Sequence, residues 1–130
     1  LVSGEERRLP KPLYWGKIQP LEWPDEDYLV IEGDIEIGPK FRVLTVPGHA
    51  PGQLSLMLEL PKTGPILLTS DAISRPAEID EKFIGSWDEP MAISSAERLM
   101  QLANETGAFV IYGHSPEQWP TLKKSPEAYI

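Results

Sequence analysis

Residues 45–56 read Thr45-Val46-Pro47-Gly48-His49-Ala50-Pro51-Gly52-Gln53-Leu54-Ser55-Leu56. A strand stops, two Pro-Gly pairs enclose a histidine, and a second strand starts. Proline fixes φ and glycine accepts almost any, so each pair turns the chain instead of extending it. On the N-terminal side, Phe41 to Val46 alternates apolar and polar, the period of a half-buried strand. Before that lie Tyr28-Leu29-Val30-Ile31, a Gly33-Asp34 turn and the alternating pair Ile35 and Ile37. On the C-terminal side, Leu54 to Leu60 alternates strongly, Pro61-Lys62-Thr63-Gly64 predicts a hairpin turn, and Pro65 to Ser70 its partner strand. Residues 72–87 read as a loop, broken by Pro76 and Gly85.

A helix follows with clear punctuation. Asp88 is its expected N-cap, Glu89-Pro90 suit the first turn, and Gly107 closes it. Met91, Ile93, Ala96, Leu99, Met100, Leu102 and Ala103 form its apolar stripe. Phe109 to Tyr112 predicts a short apolar strand that ends at Gly113-His114, and the tail has room for one or two helical turns around residues 119–124. Residues 1–27 read as an irregular arm, because Pro10, Pro12, Pro20 and Pro24 break any helix. Trp15, Leu21 and Trp23 in that arm are apolar enough to lie on another surface. The folded part is therefore expected over residues 28–130, in the α+β class.

The 130 residues suit one domain. With 20 Asp+Glu against 12 Lys+Arg, the net charge is −8. That acidity argues against nucleic acid or an anionic membrane surface, which bind clustered Lys and Arg. No run approaches the ~20 apolar residues of a membrane span. The lack of cysteine excludes thiolate metal sites and thiol nucleophiles and fits a cytoplasmic protein. The chain opens at Leu1 without an initiator methionine, so an upstream part is expected.

Three residues stand where chemistry is best placed. His49, Asp71 and His114 each follow a predicted strand, and His49 and His114 are the only histidines. If the strands share a sheet with their ends on one edge, imidazole and carboxylate groups converge at the ~2.0–2.2 Å ligand distances of zinc. Taken singly, each has a plainer reading. A loop histidine is ordinarily a polar surface residue, and aspartate after a strand caps a turn.

The run Thr45 to Leu56, then Leu67-Leu68-Thr69-Ser70-Asp71-Ala72, then Tyr112-Gly113-His114, resembles the metallo-β-lactamase superfamily, most closely its N-acyl-homoserine lactonase branch. The tail Gly113-His114-Ser115-Pro116-Glu117-Gln118 and the closing Pro126-Glu127-Ala128-Tyr129-Ile130 are similar to that branch as well. The likeness extends from about Tyr28 onward. It implies the C-terminal half of an αββα sandwich that holds two zinc ions, other divalent transition metals being possible. By position, His49 would be a ligand of the first ion, Asp71 the catalytic carboxylate bridging both, and His114 a ligand of the second. In such an enzyme a metal-bridging hydroxide opens a lactone ring, and the implied substrates are N-acyl-homoserine lactones, which makes the activity quorum quenching.

The superfamily signature H-x-H-x-D-H is absent. The implied partner is therefore an N-terminal half carrying that motif, and this chain alone is expected to be inactive. Relatives also imply a possible homodimer. Ser74 stands where this branch carries a tyrosine that binds substrate. That departure keeps a second reading open: a superfamily hydrolase for another lactone, a phosphotriester or a thioester. A third reading is a non-catalytic half-fold that serves as an interaction module.

Overall fold

The computed structural model describes residues 2–3 and 30–130. Strands β1 (Val2–Ser3) and β2 (Val30–Ile31) pair in parallel as a small separate sheet. The rest of the arm expected over residues 1–27, with Trp15 and Trp23, lies outside the described residues.

The main sheet has five strands in the order β3 (Ile35–Glu36), β4 (Phe41–Thr45), β5 (Leu54–Leu60), β6 (Gly64–Leu68) and β7 (Phe109–Ile111). Neighbours run antiparallel from β3 to β6, and β7 joins β6 in parallel. The parallel step follows from the chain between them. Residues 69–108 form a crossover, as parallel neighbours require.

That crossover holds a 3₁₀ turn at Ser70–Ile73, helix α1 (Ala77–Asp80) and helix α2 (Glu89–Thr106). The loop expected over residues 72–87 is therefore partly helical. Pro76 presets a helical φ of −54° just before α1, and the Glu78 carboxylate accepts the Ser74 amide at 2.6 Å. The long helix is punctuated as its sequence indicates. Asp88 Oδ1 accepts the Met91 amide at 2.9 Å, and Gly107 closes the helix in the left-handed conformation at φ 67°. Asp88→Ala is expected to remove about 1 kcal/mol of stability, measured by chemical denaturation.

Helix α2 covers one face of the sheet. Its buried residues are Ala92, Ser95, Ala96, Leu99 and Ala103, which pack with Leu44, Met57 and Leu67. The expected stripe is rotated in part, since Met91 is 38% exposed and Ala92 takes the inward place. Small side chains at 92, 96 and 103 let the helix lie close on the sheet, and Met91 falls outside that line of contact.

The strand register divides β5 cleanly. Ser55 and Met57 are buried with Leu44 and Leu67 under the helix, while Leu54, Leu56, Leu58 and Leu60 point to the opposite face and stay half-buried. None of those four leucines belongs to the helix-side core. Phe41, Val43, Ile66, Leu68 and Ile111 share their face by register.

Beyond β7 a 3₁₀ turn forms at Trp119–Thr121. The Gln118 side chain lies along the outer edge of β7. Its Oε1 accepts the Tyr112 amide at 3.0 Å and its Nε2 donates to the Val110 carbonyl at 2.7 Å. No helix among the described residues is long and apolar enough to cross a membrane.

Candidate metal centre

Strands β4 and β6 are both antiparallel to β5, so they run the same way, and β7 runs with β6. The exits of these three strands consequently lie along one edge of the sheet. His49, Asp71 and His114 follow those exits in turn.

Hydrogen bonds set the course of the chain after β6. The buried Ser55 hydroxyl donates to the Thr69 carbonyl at 2.7 Å, and the Thr69 amide donates to the Ile111 carbonyl at 3.0 Å. The Thr69 hydroxyl in turn donates to the Ile73 carbonyl at 2.7 Å. Pinned there, the chain turns through Ser70, which adopts φ 52°, a conformation costly for a residue with a Cβ. The 3₁₀ turn then carries Asp71 over the sheet edge.

His114 reaches the same place from β7. The Gly113 amide donates to the Ile73 carbonyl at 3.4 Å and the His114 amide to the Ser74 carbonyl at 2.8 Å. Glycine is required at 113 because a Cβ there would lie 2.5 Å from the Ser70 carbonyl oxygen. The outcome is a pair: His114 Nε2 stands 2.8 Å from Asp71 Oδ1. The carboxylate is half-buried and the imidazole is exposed.

His49 sits in the turn after β4. The Pro47 carbonyl accepts the Ser95 hydroxyl at 2.6 Å, and the Asp88 amide donates to the Gly48 carbonyl at 3.0 Å. The His49 carbonyl accepts the Trp87 amide at 3.3 Å, and the residue is exposed. The structure thus brings Asp71 and His114 together. It does not gather His49 with them, because no group of three His, Cys, Asp or Glu able to hold a metal occurs among the described residues. Ser74 lies beside the pair, its carbonyl bonded to His114 and its amide to Glu78.

The pair suits a borderline-soft cation in kind, offering one imidazole nitrogen and one carboxylate oxygen. Two ligands of one tetrahedral zinc stand about 3.4 Å apart, given bonds of ~2.1 Å, whereas the observed 2.8 Å is the length of a direct hydrogen bond between the two side chains. Two donors are fewer than such an ion needs, and the fit is that of a partial site.

The sequence reading passed over several residues that build this edge. By pattern alone Ser55 and Thr69 are strand residues, and Gln53 is merely the residue ahead of a strand. Ser55 carries a weak signal, a hydroxyl inside an otherwise leucine-rich run. Ser70 carries none, since serine gives no sign of a left-handed backbone.

No family model matches the chain. Over 108 residues it is 40% identical to the N-acyl homoserine lactonase AttM of Azorhizobium caulinodans, an alignment covering 80% of this chain and 39% of that protein. The chain therefore spans about two fifths of the length of that curated relative. A solved N-acyl homoserine lactone hydrolase, with the product N-hexanoyl-L-homoserine bound at its catalytic metal centre, superposes with TM-score 0.85 at 30% identity, over 97% of this chain and 50% of that one. AidC, a dizinc quorum-quenching lactonase 19% identical, shares the fold at TM-score 0.56 over 78% of this chain and 38% of its own. Along most of its length, then, the chain is similar to N-acyl-homoserine lactonases of the metallo-β-lactamase fold.

Proposed function

We propose that this chain is the C-terminal portion of a dinuclear zinc hydrolase that opens lactone rings, N-acyl-homoserine lactones foremost. The observation that carries the reading is the Asp71–His114 pair, 2.8 Å apart at the edge where three strand exits line up. The lactonase identity of the relatives supports it. In this reading Asp71 would bridge both ions, His49 would serve the first and His114 the second. A carboxylate suits the bridging place, having two oxygens and a full charge to share. When bound, the cations would polarise the lactone carbonyl and acidify a water towards neutral pH. Ser74, whose backbone already holds His114 and Glu78, would meet the substrate from the same turn.

The remaining ligands belong in this proposal to an N-terminal half bearing H-x-H-x-D-H. The leucine face of β5, turned away from α2 and half-buried, is where that half would pack in this reading. Without it the chain is inactive.

In the intact protein, elemental analysis is expected to find a pair of bound zinc ions, and Asp71→Asn to lower lactone hydrolysis by at least about 100-fold. His49→Ala is expected to remove most activity too. An intact protein that takes up no metal would overturn the reading. Serine at 74 in place of tyrosine favours a second reading, a hydrolase for another ester. Comparing lactones of varied acyl length with phosphotriesters and thioesters separates the two.

A further inference from the structure

We infer that Gln53 and Ser70 form a positioning bridge that sets the Asp71 carboxylate, linking the turn that carries His49 to the turn that carries Asp71. Gln53 Nε2 donates to the Ser70 hydroxyl at 3.1 Å and to the Leu54 carbonyl at 3.1 Å. Gln53 belongs to the loop after β4 that begins with Pro47 and His49, and it is anchored there: its carbonyl accepts the Val46 amide at 2.9 Å and its amide donates to the Ala50 carbonyl at 3.2 Å. Ser70 directly precedes Asp71 and is one of three non-glycine residues with positive φ among those described.

A strained backbone persists only when its surroundings hold it. Ser70 is held on two sides. Gln53 grips its hydroxyl, and its carbonyl oxygen lies so near Gly113 that a Cβ on that glycine would come within 2.5 Å. The same hypothetical Cβ would lie 3.3 Å from Asp71 Oδ1, the oxygen that faces His114. The peptide ahead of Asp71 is thus wedged between the His49 turn and the His114 turn. Were Ser70 to relax to negative φ, the chain entering Asp71 would rotate and the carboxylate would leave His114. Neither Gln53 nor Ser70 touches substrate in this account; both act through Asp71.

The inference rests on the metal-hydrolase reading, and its test separates the two. In the intact, metal-loaded protein, Gln53→Ala and Ser70→Ala are each expected to weaken metal binding by about 10–100-fold, the range for groups that orient metal ligands. kcat is expected to fall while KM holds, and the cobalt-substituted protein to show a shifted visible spectrum. Native affinity and spectrum in both alanine variants would overturn the inference. If the unaltered intact protein binds no metal, the hydrolase reading fails, and the bridge is then read from the His114 ring nitrogens by NMR. Loss of the Nε2–H signal bonded to Asp71 in Gln53→Ala sustains the bridge, and an unchanged signal overturns it.

Discussion

Gly48→Ala is expected to destabilise the protein by about 3 kcal/mol or more, the sum of backbone strain and overpacking. Gly48 adopts φ 140°, and a Cβ there would come within 2.3 Å of both the Cα and the amide nitrogen of Ala92. Those are backbone atoms of α2 and have no rotamer in which to escape. To fit the methyl group, the first turns of the helix must lift from the sheet. Lifting them breaks the Asp88–Gly48 and Trp87–His49 hydrogen bonds together. Denaturant titration gives the loss, and Gly38→Ala is the control. Gly38 has φ 75° but nothing within 4 Å of the added atom, so it bears only the left-handed penalty of about 1–2 kcal/mol. Equal losses at the two positions would show that crowding against Ala92 does not matter.

In the hydrolase proposed above, Gly113→Ala is expected to lower activity of the intact protein about 100-fold, with a stability loss of only about 1–3 kcal/mol. Gly113 is not among the positive-φ glycines, so the effect is one of space alone. Its Cβ would lie 2.5 Å from the Ser70 carbonyl oxygen, and relief requires Gly113 and Ser70 to separate. Such a shift carries His114 away from Asp71, and displacement by about 1 Å at a reacting centre costs on the order of 100-fold. Steady-state kinetics beside a denaturation curve tests this. Full activity in a folded variant would mean that the Asp71–His114 spacing is not what the reaction depends on.

The contrast between these glycines shows what a sequence discloses and what it withholds. Strand β5 was plain because Leu54 to Leu60 alternates without a break, and α2 because Asp88 and Gly107 mark its ends with residues suited to those backbone states. The placement of His49, Asp71 and His114 after strand exits was equally readable. Their shared edge depends on strand order, which no local pattern encodes. Which face of β5 meets the helix was not readable either. Alternation identifies two faces, and here the face rich in leucine is not the one under α2. Met91 falls outside the contact because a seven-member stripe is wider than the line along which a helix touches a sheet. Gln53 and Ser70 lay beyond reach for another reason. Their bond spans 17 positions, and the unusual backbone falls on serine, where glycine or asparagine would have given notice.

The amide of Gln118 on β7 has a bearing on how molecules of this kind meet one another. A lateral strand with open donors and acceptors is a template on which a foreign chain can zip up, the first step towards fibrils. Here the Tyr112 N–H and the Val110 C=O are already engaged by a side chain from the same molecule. Growth of the sheet past its last strand is thereby blocked at two consecutive rungs. A second chain seeking that edge would first have to displace Gln118.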